Sequence, residues 1–142
     1  VITNLNSVET LGMDPLDESN KDNIVLLRYV PLEELTVLYN LSSLFVYPSL
    51  YEGFGFPPLE AMASGVPVLA SNTSCLPEII GSAGLLVDPY NEDEMAEGMY
   101  SLLIDKELRN TYISRGIKKA AEFAWQKTAG EMLNIYKDLA GR

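Results

Sequence analysis

Apolar and polar positions along this chain switch period several times. Ile24 to Val30 is an apolar run suited to a buried parallel strand. From Pro31 the spacing becomes helical. Leu32, Leu35, Leu38 and Tyr39 fall on one side, predicting a helix through Leu41. Leu44 to Tyr47 reads as the next strand. Pro57 to Ser64 reads as a helix that Gly65 ends with a left-handed cap. Val66 to Ala70 is a further strand, Ser74 is placed to cap one helical turn through Ile80, and Leu85 to Val87 is a short strand.

The remainder reads as helix. Asn91-x-x-Glu94 resembles a capping box and opens a helix to about Leu103, with Met95, Met99, Leu102 and Leu103 at helical spacing. A second helix is predicted over Lys106 to Phe123. A third runs from Trp125 to Ala140, striped by Met132, Leu133, Tyr136 and Leu139. At the other end, Val1 to Thr3 suggests the tail of a strand. Residues 4–23 are polar, with turn signals at Asp14-Pro15 and Asn20 to Asn23 and a short helix expected around Ser7 to Gly12. No repeat, linker or low-complexity tract interrupts the order. The alternation predicts a Rossmann-like, doubly wound α/β fold with a parallel sheet.

The chemistry concentrates between the strand at Leu44–Tyr47 and the helix after it. Residues 52–60 read Glu-Gly-Phe-Gly-Phe-Pro-Pro-Leu-Glu. A strand, a glycine loop and a helix start form the setting in which α/β proteins hold phosphate-bearing ligands. Gly53 and Gly55 permit positive φ and a close approach of backbone to ligand. Their N–H groups, with those of Phe54 and Phe56, are candidates for a nest around phosphate or sugar oxygens. Pro57 or Pro58 suits a first helical turn. Glu60 is expected in that turn, where the helix dipole favours a carboxylate and a vicinal diol such as a ribose can bind. Glu52 is expected to accept from hydroxyls of a second ring.

Composition narrows the classes. The chain has 142 residues, 47% of them hydrophobic, which suits one folded domain rather than a disordered tail. No apolar run reaches the roughly 20 residues of a membrane span. A single cysteine, Cys75, forms no internal disulfide and suits a reducing compartment as small buried filler. With no histidine, Ser-His, Cys-His and His-metal sites are excluded within these residues, and no zinc or P-loop spacing is present. A net charge of −10 argues against nucleic acid and sits awkwardly with a diphosphate.

The chain resembles the C-terminal, donor-binding half of retaining GT-B glycosyltransferases of the large group 1 family. The resemblance is carried by Pro48-Ser49-Leu50-Tyr51-Glu52-Gly53-Phe54-Gly55, by Pro57, and by Glu60-Ala61-Met62-Ala63-Ser64-Gly65-Val66-Pro67-Val68. It continues through Leu76-Pro77-Glu78-Ile79, Gly84 to Pro89 and Phe123-Ala124-Trp125. It implies a nucleotide-diphosphate sugar as ligand, UDP-, GDP- or ADP-linked, and no separate cofactor or metal. It implies Glu60 on the ribose, Glu52 as the candidate catalytic residue meeting the donor sugar, and Gly53, Phe54, Gly55 and Phe56 around sugar and diphosphate. Tyr29 and Val30 are implied beside the nucleobase. Family chemistry transfers the sugar with retention, the donor phosphate helping to deprotonate the acceptor, so a nucleophilic role for Glu52 does not follow.

The same resemblance implies that the cations meeting the phosphates precede Val1, and that an N-terminal acceptor domain completes the site. The whole chain is then one partial nucleotide-sugar-binding domain, inactive alone, with its last helix from about Trp125 turned towards the acceptor domain. A sheet short of its first strand would expose edges, so oligomers are expected. A cytoplasmic protein is implied, at a membrane's cytoplasmic face in the full-length form.

Plainer roles stand beside these. Glu78 is placed to cap its own helix, Tyr47 and Phe54 to pack, and Trp125 to anchor a helix start. Arg28 stands where relatives usually have Gly. Ala124 stands where they often have Ser, costing the last helix an N-cap worth about 1 kcal/mol. A glycosidase pair needs its two carboxylates across one bond, whereas here they serve different parts of one ligand. A non-catalytic binding or assembly module, and a GT-B sugar-nucleotide epimerase or phosphorylase-like relative, remain as alternatives.

Overall fold

The computed structural model describes Val25, Leu27 and residues 29–141. The elements expected within residues 1–23, and the role of Arg28, lie outside the described residues. Of the strand expected at Ile24–Val30, the described positions carry one bridge, at Leu27. The chain divides into two units between Leu38 and Tyr39. Helix α1, Leu32–Leu41, contains that boundary.

In the second unit, strands β1 (Phe45–Tyr47), β2 (Val68–Ser71) and β3 (Leu85–Val87) form a parallel sheet in the order β1-β2-β3. Phe45 pairs with Val68, and Leu69 with Leu85. Every residue of β2 is buried, as a central strand covered on both faces requires. Helices α2 (Phe56–Ala63) and α3 (Leu76–Ile80) follow β1 and β2, and a 3-10 turn, Gly81–Ala83, leads into β3. Helices α4 (Glu92–Ile104), α5 (Lys106–Ala121) and α6 (Trp125–Ala140) complete the unit.

The core forms where these periods meet. Leu69, Val87 and Leu102 make its buried centre, with Val46, Leu85, Met95, Met99 and Leu108 packed round it. Burying each large aliphatic side chain is worth about 1.5–3 kcal/mol. Leu103, expected on the same face, lies outside this cluster and is 47% exposed. Gly98 lets α4 settle on the sheet: a Cβ there would lie 2.8 Å from Leu69 Cδ1. Asn91 caps α4 by accepting from the Glu94 N–H at 3.1 Å. Glu94 does not complete a capping box, because its carboxylate accepts instead from the Asp88 N–H at 3.3 Å.

Two departures from the pattern bear on the site. Helix α2 begins at Phe56, one residue early, so Glu60 lies beyond the first turn and gains little from the dipole, which acts chiefly within that turn. Ser74 is not a cap: Cys75 holds the cap position of α3 without a side-chain bond, and Ser74 reaches elsewhere. Gly65 does take φ 75 after α2, and Ala124 starts α6 without a side-chain cap. No residue of α6 is buried, and Met132, Leu133, Tyr136 and Leu139 are all exposed.

Candidate donor site

Strand β1 hands the chain to a loop, residues 48–55, that carries the first carboxylate. Tyr47 ends the strand, and its phenol donates to Glu52 Oε1 at 2.6 Å. Ser49 donates to the same oxygen at 2.8 Å. Glu52 Oε2 takes no hydrogen bond among the described residues. Burial, then the hydrogen bond and charge of Glu52, push the Tyr47 phenol well above its ordinary range. It therefore stays a donor at any physiological pH. Tyr47, expected merely to pack, also orients a carboxylate while its ring stacks on Phe45 at 5.8 Å.

The second carboxylate is held in the same way. Glu60 Oε2 accepts from the Tyr39 phenol at 3.2 Å, and Oε1 takes none among the described residues. Tyr39 is buried and meets Phe45 edge-on at 5.5 Å. Burial first, then the Glu60 charge, raise its pKa far above the usual phenol. Each glutamate thus has one oxygen fixed by protein and one left open. Sequence reasoning missed Tyr39 in this role, having placed it only on the apolar face of α1.

Between the two carboxylates the backbone is open. The N–H groups of Gly53, Phe54 and Gly55 donate to no protein acceptor among the described residues. Gly55 has φ 97, and a Cβ would lie 2.9 Å from Leu76 Cδ2, so glycine is required twice over. Gly53 is not at positive φ and has open space where a Cβ would be, which corrects the expectation that both glycines serve the conformation.

Phe54, Phe56 and Glu60 line a cavity of about 700 Å³, walled on the far side by Phe123, Trp125 and Thr128. Phe56 stacks on Trp125 at 6.0 Å and Phe54 meets Phe123 edge-on at 5.9 Å. Trp125 thus packs at the start of α6 as expected, through one face only, and remains 72% exposed. Glu52 is not among the lining residues. Tyr29 and Val30 belong to the first unit, where they line a hollow of about 290 Å³ with Glu34 and Leu38. Glu78 is exposed in the first turn of α3. No group of three or more potential metal ligands occurs among the described residues, and no described helix is long and apolar enough to cross a membrane.

Residues 15–119 match the family model described as glycosyl transferases group 1. The chain is similar to O-antigen chain mannosyltransferase B of Escherichia coli, 45% identical over 111 residues, which cover 78% of this chain and 29% of that protein. It is similar to the MMP alpha-(1->4)-mannosyltransferase of Mycolicibacterium hassiacum, 39% identical over 115 residues, covering 78% and 28%. Among solved structures, sucrose-phosphate synthase from Thermosynechococcus elongatus superposes with TM-score 0.79 at 30% identity, over 87% of this chain and 32% of that one. The C-terminal domain of a glycosyl transferase group 1 family protein from Francisella tularensis gives TM-score 0.65 at 30% identity, over 74% and 55%. The chain therefore spans less than a third of the length of the curated relatives described.

Proposed function

Because this chain belongs to the group 1 glycosyl transferases, we propose that it is the donor-binding part of an enzyme that moves a sugar from a nucleotide diphosphate to an acceptor. One observation supports this most: each of two carboxylates has one oxygen tied to a tyrosine and the other open, with unengaged backbone N–H groups between them. Glu60 takes the ribose hydroxyls through Oε1. Glu52 takes hydroxyls of the donor sugar through Oε2. The amides of Gly53, Phe54 and Gly55 meet diphosphate and sugar oxygens, where fixed donors stabilise charge on the leaving group.

Tyr29 and Val30 serve the nucleobase in this reading. The cations that neutralise the diphosphate, and the acceptor site, come from parts of the full-length protein outside these residues. Transfer proceeds with retention, and Glu52 positions the sugar rather than attacking it. The two curated relatives described are named mannosyltransferases, so mannose is the sugar to try first.

Titration of UDP, GDP and ADP against the full-length protein tests the reading. Trp125 is the sole tryptophan of these residues and lines the same cavity as Glu60, so its emission is one readout beside calorimetry. One nucleotide is expected to bind, and Glu60→Ala to weaken it roughly ten- to hundredfold, the worth of hydrogen bonds to a charged group. Equal affinity in the two proteins would remove Glu60 from the ribose.

A further inference from the structure

Three consecutive side chains in the turn after β2 reach back to the loop that carries Glu52. Thr73 Oγ1 donates to the Ser49 carbonyl at 3.3 Å. Ser74 Oγ accepts from the Glu52 N–H at 3.2 Å and donates to the Glu52 carbonyl at 2.9 Å. Cys75 Sγ donates to the carbonyls of Glu52 and Phe54 at 3.3 and 3.2 Å. The turn is itself held fast. The Asn72 N–H donates to the Val87 carbonyl of β3 at 2.8 Å, and the Leu76 side chain is fully buried.

Ser74 is the one non-glycine residue at positive φ, 57°, among the described residues. L-residues avoid that region unless the surroundings impose it. What the conformation achieves here is specific: a single hydroxyl engages both main-chain polar groups of Glu52. A main chain pinned at N–H and carbonyl leaves the side chain few directions, and Tyr47 and Ser49 then fix Oε1.

We propose that Ser74 is a positioning residue which, gripping the Glu52 backbone from the turn after β2, sets where the Glu52 carboxylate points and so how well the site discriminates a sugar-bearing nucleotide from the bare diphosphate. The proposal rests on the donor-site reading above. Thr73 and Cys75 brace the same loop on either side of the grip. Glu60 lies outside it, so the nucleoside end of the site is independent of Ser74.

The experiment compares the full-length wild type with Ser74→Gly and Ser74→Ala, measuring binding of GDP and GDP-mannose, and of UDP and UDP-glucose, by calorimetry. Glycine accepts φ 57° without strain and alanine does not, but both lack the hydroxyl. Both variants are expected to bind the bare diphosphate within about twofold of wild type and the sugar nucleotide roughly tenfold more weakly. Wild-type preference for the sugar nucleotide in Ser74→Gly would overturn the proposal. So would an equal loss of both ligands together with a lowered melting temperature, which would mark Ser74 as structural only. A wild type that binds but does not distinguish the two ligands would overturn it while leaving Glu60 its role. A wild type that binds neither pair would remove the donor reading, and this proposal with it.

Discussion

Tyr47 and Glu52 lie five residues apart and are joined by a phenol-to-carboxylate hydrogen bond of 2.6 Å. The bond links the last residue of a sheet strand to the first carboxylate of the loop, so the rigidity of the sheet reaches the site through one hydroxyl. Tyr47→Phe removes that hydroxyl and keeps the ring that stacks on Phe45. Glu52 Oε1 is then left to Ser49 alone. We expect the fold to survive and affinity for the donor sugar nucleotide to fall by about 1 kcal/mol, roughly fivefold. Affinity for the bare nucleoside diphosphate should not change. Calorimetry on the full-length protein checks both halves.

Tyr39 and Tyr47 carry phenols raised above the ordinary 10.0, in each case first by burial and then through the glutamate each one faces. In the folded chain the proton stays on. In the unfolded chain it leaves near pH 10, so the fold holds more protons above that point. The stabilisation these phenols give is therefore complete below about pH 10 and is lost as pH climbs towards the folded values. Melting temperature should decline from about pH 10 upward, less steeply in Tyr47→Phe. Ultraviolet titration of phenolate should show two late tyrosines, and their delay should vanish once the chain is unfolded in urea.

Two substitutions to alanine should move stability in opposite directions. In Gly98→Ala the new methyl would lie 2.8 Å from Leu69 Cδ1 and 3.0 Å from Leu85 Cδ2. Leu69 is wholly buried and has little room to give. Overpacking of about 1–3 kcal/mol should exceed the roughly 1 kcal/mol that alanine gains over glycine in a helix. Ser71 is the converse: its hydroxyl is buried on β2 and has no hydrogen-bond partner among the described residues. Ser71→Ala removes that unmet group and should stabilise by up to about 1 kcal/mol. Urea unfolding of both variants gives the signs directly.

Much of this architecture is legible in the sequence where periodicity is strong and contacts are local. Strand β3 and helix α6 coincide with the pattern, because a short apolar run before Asp88-Pro89 and a long stripe after Trp125 each admit one reading. The start of α2 is displaced because Phe56 carries no helix-start signal, and the two prolines after it fit the second and third positions as well as the first. Ser74 is misread because a serine before an apolar run ordinarily caps a helix, whereas here it bonds a loop 22 residues away in sequence. Tyr39 is buried on α1 as its spacing predicts, but its bond to Glu60 spans 21 residues, and a tyrosine on an apolar face gives no sign of its hydroxyl's partner. The carboxylates themselves were readable, since glycines, prolines and acids stand in one short stretch. What orients them was not.

The strands of the sheet follow one another in space in the order in which they follow in the chain. Each parallel pairing therefore closes over a single short crossover, and the entropy of closure grows only slowly with the length enclosed. The sheet is built from strands whose paired residues lie 23 and 16 positions apart in the chain, Phe45 with Val68 and Leu69 with Leu85. It need not wait for a distant segment to arrive between two of its strands. The strands that anchor the Glu52 loop, and the turn that grips it, therefore all lie within one continuous stretch, residues 45–87.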